Sequence, residues 1–392
     1  GSAIKIVIIS PIRLISPIGP IAQITNKIVI ISPIRLISPI GPIAQKTAKM
    51  TLQDFLSEWQ NDCPQLLVHT SGSTGKPKPL WVEKQRMLNS ARITCDFLGL
   101  KAGDTALLCM PLDYIAGKMV VVRSIERNLR LLSVTPSGHP LSDASLAEAD
   151  LPDEEITFAA MVPLQVYNSL QVPKECERLR HIRHLIIGGG AIDDKLSAAL
   201  LDFPNAVWST YGMTETLSHI ALRRLNGPNA SEWYKPFEGV TVWLNEEGCL
   251  VIDAPAVCSH PLVTNDRAEI SPFTTEDNIK TPCFRILGRK DNVMDSGGIK
   301  IQIEEVEQRL KPYLTADFAI TSCPDERFGE AVVLLSTQDN TNDIKALCQR
   351  HLPKFWQPRF VFHVPSLPKT GTGKPARAEI KALAHQMSKL NT

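Results

Sequence analysis

Acidic residues are missing from the first 53 positions of this 392-residue chain, which carry six basic side chains (Lys5, Arg13, Lys27, Arg35, Lys46 and Lys49). Over the whole chain 42 Lys and Arg face 41 Asp and Glu, so no charge of one sign dominates. That balance excludes the electrostatic footprint of a nucleic-acid or acidic-membrane binder. Beyond residue 53 there are 36 basic and 41 acidic residues, a balance of −5 that suits a soluble, cytoplasmic body. No uninterrupted apolar run reaches the roughly 18 residues of a membrane span. Nine cysteines are scattered with no Cys-x-x-Cys pair and no Cys/His cluster, which excludes a zinc module and a disulfide scaffold and implies a reducing compartment. With 43% hydrophobic residues, the chain is large enough for two cores.

The segment KIVIISPIRLISPIGPIAQ occupies Lys5 to Gln23 and returns unchanged at Lys27 to Gln45. Two copies cannot build a solenoid, and a proline every few residues breaks both helix and central strand. Residues 1–49 are therefore read as a repetitive, non-native leader, with Met50 as the natural start. An interrupted apolar stretch of this kind also does not match a signal peptide.

From residue 105, short apolar runs (TALLCM, RLLSV, ITFAAMV, HLII, AVWSTYG) alternate with helical patterns near 115–127, 164–170 and 193–201. This alternation predicts a parallel sheet with crossover helices. After residue 239 the pattern becomes VTVWL, the turn Asn-Glu-Glu-Gly at 245–248, then CLVID, which is the chemistry of an antiparallel hairpin. A compact α+β stretch follows Gly288. The expected class is α/β, with a large domain over 50–287, a hinge at 288–291 and a small domain over 292–392.

Three motifs carry chemistry. Thr70-Ser-Gly-Ser-Thr-Gly-Lys-Pro-Lys78 offers hydroxyls, backbone N–H groups and Lys76 to phosphate oxygens. Its glycine spacing and the proline after the lysine rule out a Walker A loop. Tyr211-Gly-Met-Thr-Glu215 follows the strand-like AVWST, where open α/β sheets meet ligand, and its carboxylate suits Mg²⁺ carried by phosphates. Upstream, Gly188-Gly-Gly190 follows HLII and permits close approach of a bulky ligand. Pro368-Lys-Thr-Gly-Thr-Gly-Lys-Pro-Ala-Arg377 is a second loop rich in glycine and lysine, weak as an isolated match.

These motifs, with Thr264-Asn-Asp266 and Leu287-Gly-Arg-Lys-Asp291 between them, occur in an order that resembles the adenylate-forming superfamily of acyl-CoA synthetases, luciferases and peptide-synthetase adenylation domains. Within it, FAAMVPLQV, HLIIGGGAI and TYGMTETLSHIAL are most similar to the o-succinylbenzoate–CoA ligases of menaquinone synthesis. The resemblance implies a large nucleotide-binding domain, a mobile small domain, and the substrates ATP, CoA and a carboxylic acid, with Mg²⁺.

By matched position, Thr70, Ser71, Gly72, Ser73, Thr74, Gly75 and Lys76 would hold the phosphates. Tyr211 would lie against adenine, Gly189 and Gly190 would bind the cofactor, Asp266 and Arg289 would hold the ribose, and Glu215 would bind the metal. Thr214 would meet the α-phosphate, Asp291 would be the hinge, and Lys374 would reach the reacting carboxylate. Arg123, Tyr114 and Ser218 are candidates for the acid, Arg123 because it interrupts the apolar helix KMVVVRSI. Its competing explanation is a pair with Glu126 or the capping of another element.

The chain departs from the family in having Asn265 where a glycine is usual, Tyr114 where related ligases carry His, and little sequence before the phosphate loop. A ligase loading a carrier-protein thiol, or a silent nucleotide-binding homologue, stays open as an alternative. Assembly, a homodimer included, is left open too.

Overall fold

The computed structural model describes residues 49–69, 79–146, 156–190, 192, 194–274, 280–369 and 375–390, which fall into two compact units. The first unit opens with α1 (Leu52–Gln60), started by a reciprocal cap in which the Asp54 N–H donates to Thr51 Oγ1 and the Thr51 N–H to the Asp54 carboxylate. Then come β1 (Gln65–His69), β2 (Pro79–Glu83), α2 (Lys84–Leu98), β3 (Thr105–Leu108), α3 (Ile115–Arg127), β4 (Arg130–Ser133) and β5 (Phe158–Met161). They are followed by α4 (Pro163–Gln171), α5 (Pro173–His181), β6 (His184–Ile187), α6 (Asp194–Leu200), β7 (Ala206–Gly212), β8 (His219–Arg224) and β9 (Lys235–Pro236).

Seven of these strands form one sheet in the order β4-β3-β5-β6-β7-β8-β9. The five from β4 to β7 run parallel, as the βα alternation predicts, and β8 and β9 return antiparallel. β3 and β5 are buried at every position, which is why both read as unbroken apolar runs. α3 packs on α2 and is buried from Gly117 to Ile125, so its chain is apolar all round apart from Lys118, Arg123 and Ser124. Lys118 Nζ lies 2.9 Å from Met50 Sδ and 5.1 Å from the Phe55 ring, which ties the start of the described chain to α3.

The second unit contains β10 (Thr241–Leu244), β11 (Cys249–Asp253), β12 (Leu262–Thr274) and β13 (Lys280–Arg289), a four-stranded antiparallel sheet that includes the expected hairpin. It continues with β14 (Val293–Ser296), β15 (Ile299–Gln302), α7 (Ile303–Leu310), β16 (Phe318–Asp325), β17 (Gly329–Ser336), α8 (Thr341–His351), β18 (Phe360–His363) and α9 (Arg377–Leu390).

Strand β17 shows how sequence makes this module. Val332 and Leu334 point to a core shared with Val306, Leu310 and Ile344, while Val333 and Leu335 point to another shared with Ile380 and Ala384. The period of two therefore feeds two apolar faces, and helices cover both. Gly297 and Gly298 form the two-residue turn between β14 and β15 with φ of +61° and +82°. A turn with both central residues at positive φ requires such residues, which accounts for the pair. None of the nine cysteines forms a disulfide, and no described helix is long and apolar enough to cross a membrane.

Candidate active site

In the first unit, the carboxyl ends of the parallel strands collect the motif residues, as open α/β sheets place their ligand sites. After β3 the chain runs through Pro111 to Tyr114, which is half-buried and precedes the first turn of α3. After β6 come Gly188, Gly189 and Gly190. A Cβ on Gly188 would lie 2.4 Å from Thr210 Oγ1, and Gly189 has φ +78°, so the backbone here stays bare and close to β7.

After β7 the chain enters a short 3₁₀ turn, Thr214–Thr216. Tyr211, half-buried, has its ring 5.8 Å from that of Tyr234. Thr214 is buried, whereas the Glu215 side chain is exposed and makes no hydrogen bond or ion pair among the described residues. The turn closes on Leu217, a non-glycine residue at φ +64°, with the Ser218 N–H donating 2.7 Å to the Thr216 carbonyl. This is the rare, strained hand of γ-turn. Burial of the Leu217 side chain holds it, and the result is that Ser218 faces α3.

There it meets Arg123. The guanidinium is 2% exposed, and its Nη2 donates 2.6 Å to Ser218 Oγ and 3.4 Å to Thr94 Oγ1. The Phe158 ring lies 5.8 Å away. Nε is buried with no partner, and among the described residues no acid pairs with this arginine. The explanation by Glu126 fails, since that carboxylate takes Arg92 and Arg127 instead. Burial pushes Arg123 down to about 10, with only Cys95 countering. Such a cation without a counter-charge is costly.

His219 completes the group, with Nε2 3.0 Å from Thr94 Oγ1 and Nδ1 3.2 Å from Ser218 Oγ. Burial first, and the Arg123 charge second, hold it well below its ordinary 6.5, so the ring is neutral. Thr94 and His219 were not legible as site residues: Thr94 is one polar position on a helix of low contrast, and the lone His219 reads as an ordinary hydrogen-bonded histidine.

In the second unit, Asp266 on β12 pairs in register with Arg289 at the end of β13, with 3.5 Å between Oδ1 and Nη1. Arg289 Nη2 also reaches Asp291 at 2.9 Å. Asn265, the residue in place of the family's glycine, donates 3.2 Å to that same Asp291 carboxylate. Asn265 thus ties β12 to the turn Lys290–Asn292, and Asp266 follows it in the same strand just before a register shift at Arg267/Ala268.

The phosphate loop (Thr70, Ser71, Gly72, Ser73, Thr74, Gly75, Lys76) and Lys374 lie outside the described residues. Their stems do not. β1 and β2 pair antiparallel from Gln65↔Glu83 to His69↔Pro79, and Lys369 bridges Pro375. A surface hollow of about 410 Å³ beside α4 and α5, lined by Gln171, Cys176, Arg180 and His181, holds none of the motif residues.

Residues 15–254 match the model of the AMP-binding enzyme family, and residues 303–374 that of the AMP-binding enzyme C-terminal domain. A 2-succinylbenzoate–CoA ligase from Bacillus cereus is 25% identical over 343 residues, covering 82% of this chain and 70% of its own. A solved acyl-CoA synthetase (AMP-forming)/AMP-acid ligase II-like protein from Dyadobacter fermentans is 31% identical, with 83% of this chain and 91% of that one covered and a TM-score of 0.53. O-succinylbenzoate coenzyme A synthetase from Bacillus subtilis, solved with ATP and magnesium, shares the fold at 21% identity, a TM-score of 0.63 and coverage of 80% and 69%. Order of motifs, parallel sheet and both matched models agree: this chain belongs to the AMP-binding enzyme family.

Proposed function

We propose that the protein joins a carboxylic acid to the thiol of CoA through an acyl-adenylate, with ATP as the second substrate, and that the acid is o-succinylbenzoate. The observation that carries the choice of acid is Arg123, a buried guanidinium without an acidic partner among the described residues, beside Ser218 at the end of the Tyr211–Glu215 motif. o-Succinylbenzoate has one carboxylate to activate and a second that needs such a partner in an otherwise apolar pocket. The Bacillus relatives carry that substrate in their names.

In the first half-reaction a carboxylate oxygen attacks the α-phosphorus and pyrophosphate leaves. In the second the CoA sulfur attacks the acyl carbon and AMP leaves. The repulsion between the two anions is the barrier that cations and N–H donors must lower. Lys374 and the loop from Thr70 to Lys76 supply such groups, Thr214 faces the α-phosphate, Tyr211 with Gly189 and Gly190 borders the base, and Asp266 with Arg289 takes the ribose.

A Mg²⁺ fits Glu215: it is an exposed carboxylate with no described partner, and one acid suffices for an ion that phosphates already ligate. When bound, the ion neutralises phosphate charge. Rotation at Asp291 exchanges Lys374 for the thiol between the two steps. The cytoplasm, where ATP and CoA are abundant, is the setting this activity requires.

Pyrophosphate exchange across a panel of acids, followed by detection of the CoA thioester, tests the reading. o-Succinylbenzoate should exchange fastest and give its CoA thioester. Faster exchange with a medium-chain fatty acid would leave only the family assignment standing, and adenylation without a CoA product would point to a carrier-protein thiol.

A further inference from the structure

Arg123, Ser218, His219 and Thr94 close a ring of hydrogen bonds, and the bond from Thr94 to the Ser90 carbonyl sets the direction of each. Thr94 Oγ1 has one hydrogen, donated 3.1 Å to the Ser90 carbonyl one turn back in α2. Toward Arg123 Nη2 and His219 Nε2 the same oxygen can only accept. Nε2 therefore carries the imidazole proton. In a neutral ring Nδ1 is then a bare lone pair, so it accepts from the Ser218 hydroxyl. With its hydrogen committed to His219, Ser218 turns a lone pair to Arg123 Nη2 at 2.6 Å.

The opposite tautomer reverses this order. With the proton on Nδ1, Ser218 would accept from His219 and its own hydrogen would be free to swing toward the guanidinium. Nε2 and Thr94 would then face each other as two acceptors unless Thr94 gave up its bond to the Ser90 carbonyl. The wiring thus depends on a chain from the Ser90 carbonyl through Thr94 and His219 to Ser218.

We propose that His219, set as the Nε2–H tautomer by Thr94, is a positioning residue for acid recognition: it makes Ser218 an acceptor and thereby fixes how Arg123 presents its unused N–H groups to an anionic group of the acid. The role rests on the reading of Arg123 as the anchor of the second carboxylate. It extends specificity to α2, which carries no sequence motif. Loss of the chain frees the guanidinium to rotate, and a charge-assisted hydrogen bond lost on binding costs about ten-fold in affinity.

The test uses the full chain with His219→Leu, His219→Asn and Thr94→Val. Asn offers an acceptor near the place of Nδ1, whereas Leu offers none. His219→Leu and Thr94→Val should raise KM for o-succinylbenzoate about ten-fold, with KM for ATP and kcat within about two-fold of wild type. His219→Asn should recover much of the loss. Independently, ¹⁵N spectra of histidine-labelled wild type should show the His219 proton on Nε2, the resonance being assigned by its absence from His219→Asn.

A proton on Nδ1 overturns the proposal. So does an equal rise in KM for ATP and acid, or equal behaviour of the Asn and Leu variants. If Arg123→Leu leaves KM for o-succinylbenzoate unchanged, the reading of the substrate falls and this role with it. If Arg123→Leu raises it while the His219 and Thr94 variants do not, the positioning role alone falls. Should His219→Leu fail to fold, Thr94→Val and the wild-type tautomer decide.

Discussion

Single residues carry the chemistry here, and their environments set what each can do. Glu215 is exposed, while Thr214 beside it is buried, so the carboxylate is free to meet an ion carried in by phosphates. Glu215→Gln keeps the shape and removes the charge a hard cation prefers. Adenylation by that variant should need about ten-fold more Mg²⁺ for half-maximal rate, read from a magnesium titration of pyrophosphate exchange. An unchanged titration curve would place the metal elsewhere.

His219 makes a second, thermodynamic prediction. Its native pKa lies below 6.5, so the unfolded chain takes up a proton that the folded ring refuses. Stability is therefore unaffected by this group above about pH 7 and falls as pH drops through 6.5 toward the lower native value. Wild type should lose more stability than His219→Asn between pH 7.5 and 5.5, as measured by thermal unfolding. Arg123 was visible in sequence because an arginine in KMVVVRSI breaks an apolar pattern. Thr94 was not, because a threonine on a helix breaks nothing.

Elements with strong contrast were legible and those without it were not. β3, β5, β6 and β7 fall on the apolar runs expected of them, and α3, α4 and α6 on the helical patterns near 115–127, 164–170 and 193–201. α2 escaped notice because its buried face is Met87, Ser90, Ala91, Thr94, Cys95 and Leu98, of which only Met87 and Leu98 are large and apolar. α5 hides for another reason. It buries Glu175, whose charge is met by Ser142, Ser169 and His139 in a way no periodicity reveals.

The last residue of the motif near the C-terminus is likewise bound to an element outside it. Arg377, the last residue of that motif, donates from Nη1 and Nη2 to both oxygens of Glu307 on α7, each at 2.7 Å, while Glu307 also accepts the Ile320 N–H. Glu307→Ala leaves the half-buried guanidinium with only the Ile320 carbonyl, 3.3 Å from Nη1, and the Ile320 N–H without its acceptor. A stability loss of about 2 kcal/mol is expected in urea unfolding, together with slower adenylation. Arg377→Lys, which cannot make the two-pronged contact, should follow in the same direction. Unchanged unfolding in both variants would show the pair to be idle.

At the scale of the whole molecule, the order of motifs showed more than any one of them, because each alone resembles an ordinary polar loop. The antiparallel sheet β10–β13 was legible only at its hairpin. β12 and β13 are long and polar, and their pairing through Asp266 and Arg289 depends on residues 23 positions apart. The start of the chain gives a test at this scale. Removing residues 1–49 should shift the melting temperature by less than about 3 °C, since prolines every few residues disfavour both helix and central strand. Removing residues 1–62 should cost far more, because Lys118 would lose Met50 and Phe55 and remain beneath a bared surface. Equal melting of the two truncations would contradict the packing of α1.

The central claim is that the charge buried at Arg123 selects the acid. Michaelis constants of wild type and Arg123→Leu, for o-succinylbenzoate and for ATP, test it most directly. Loss of a desolvated charge pair predicts a rise of about 10²-fold for the acid and almost none for ATP. Equal constants for the acid in the two proteins would contradict it.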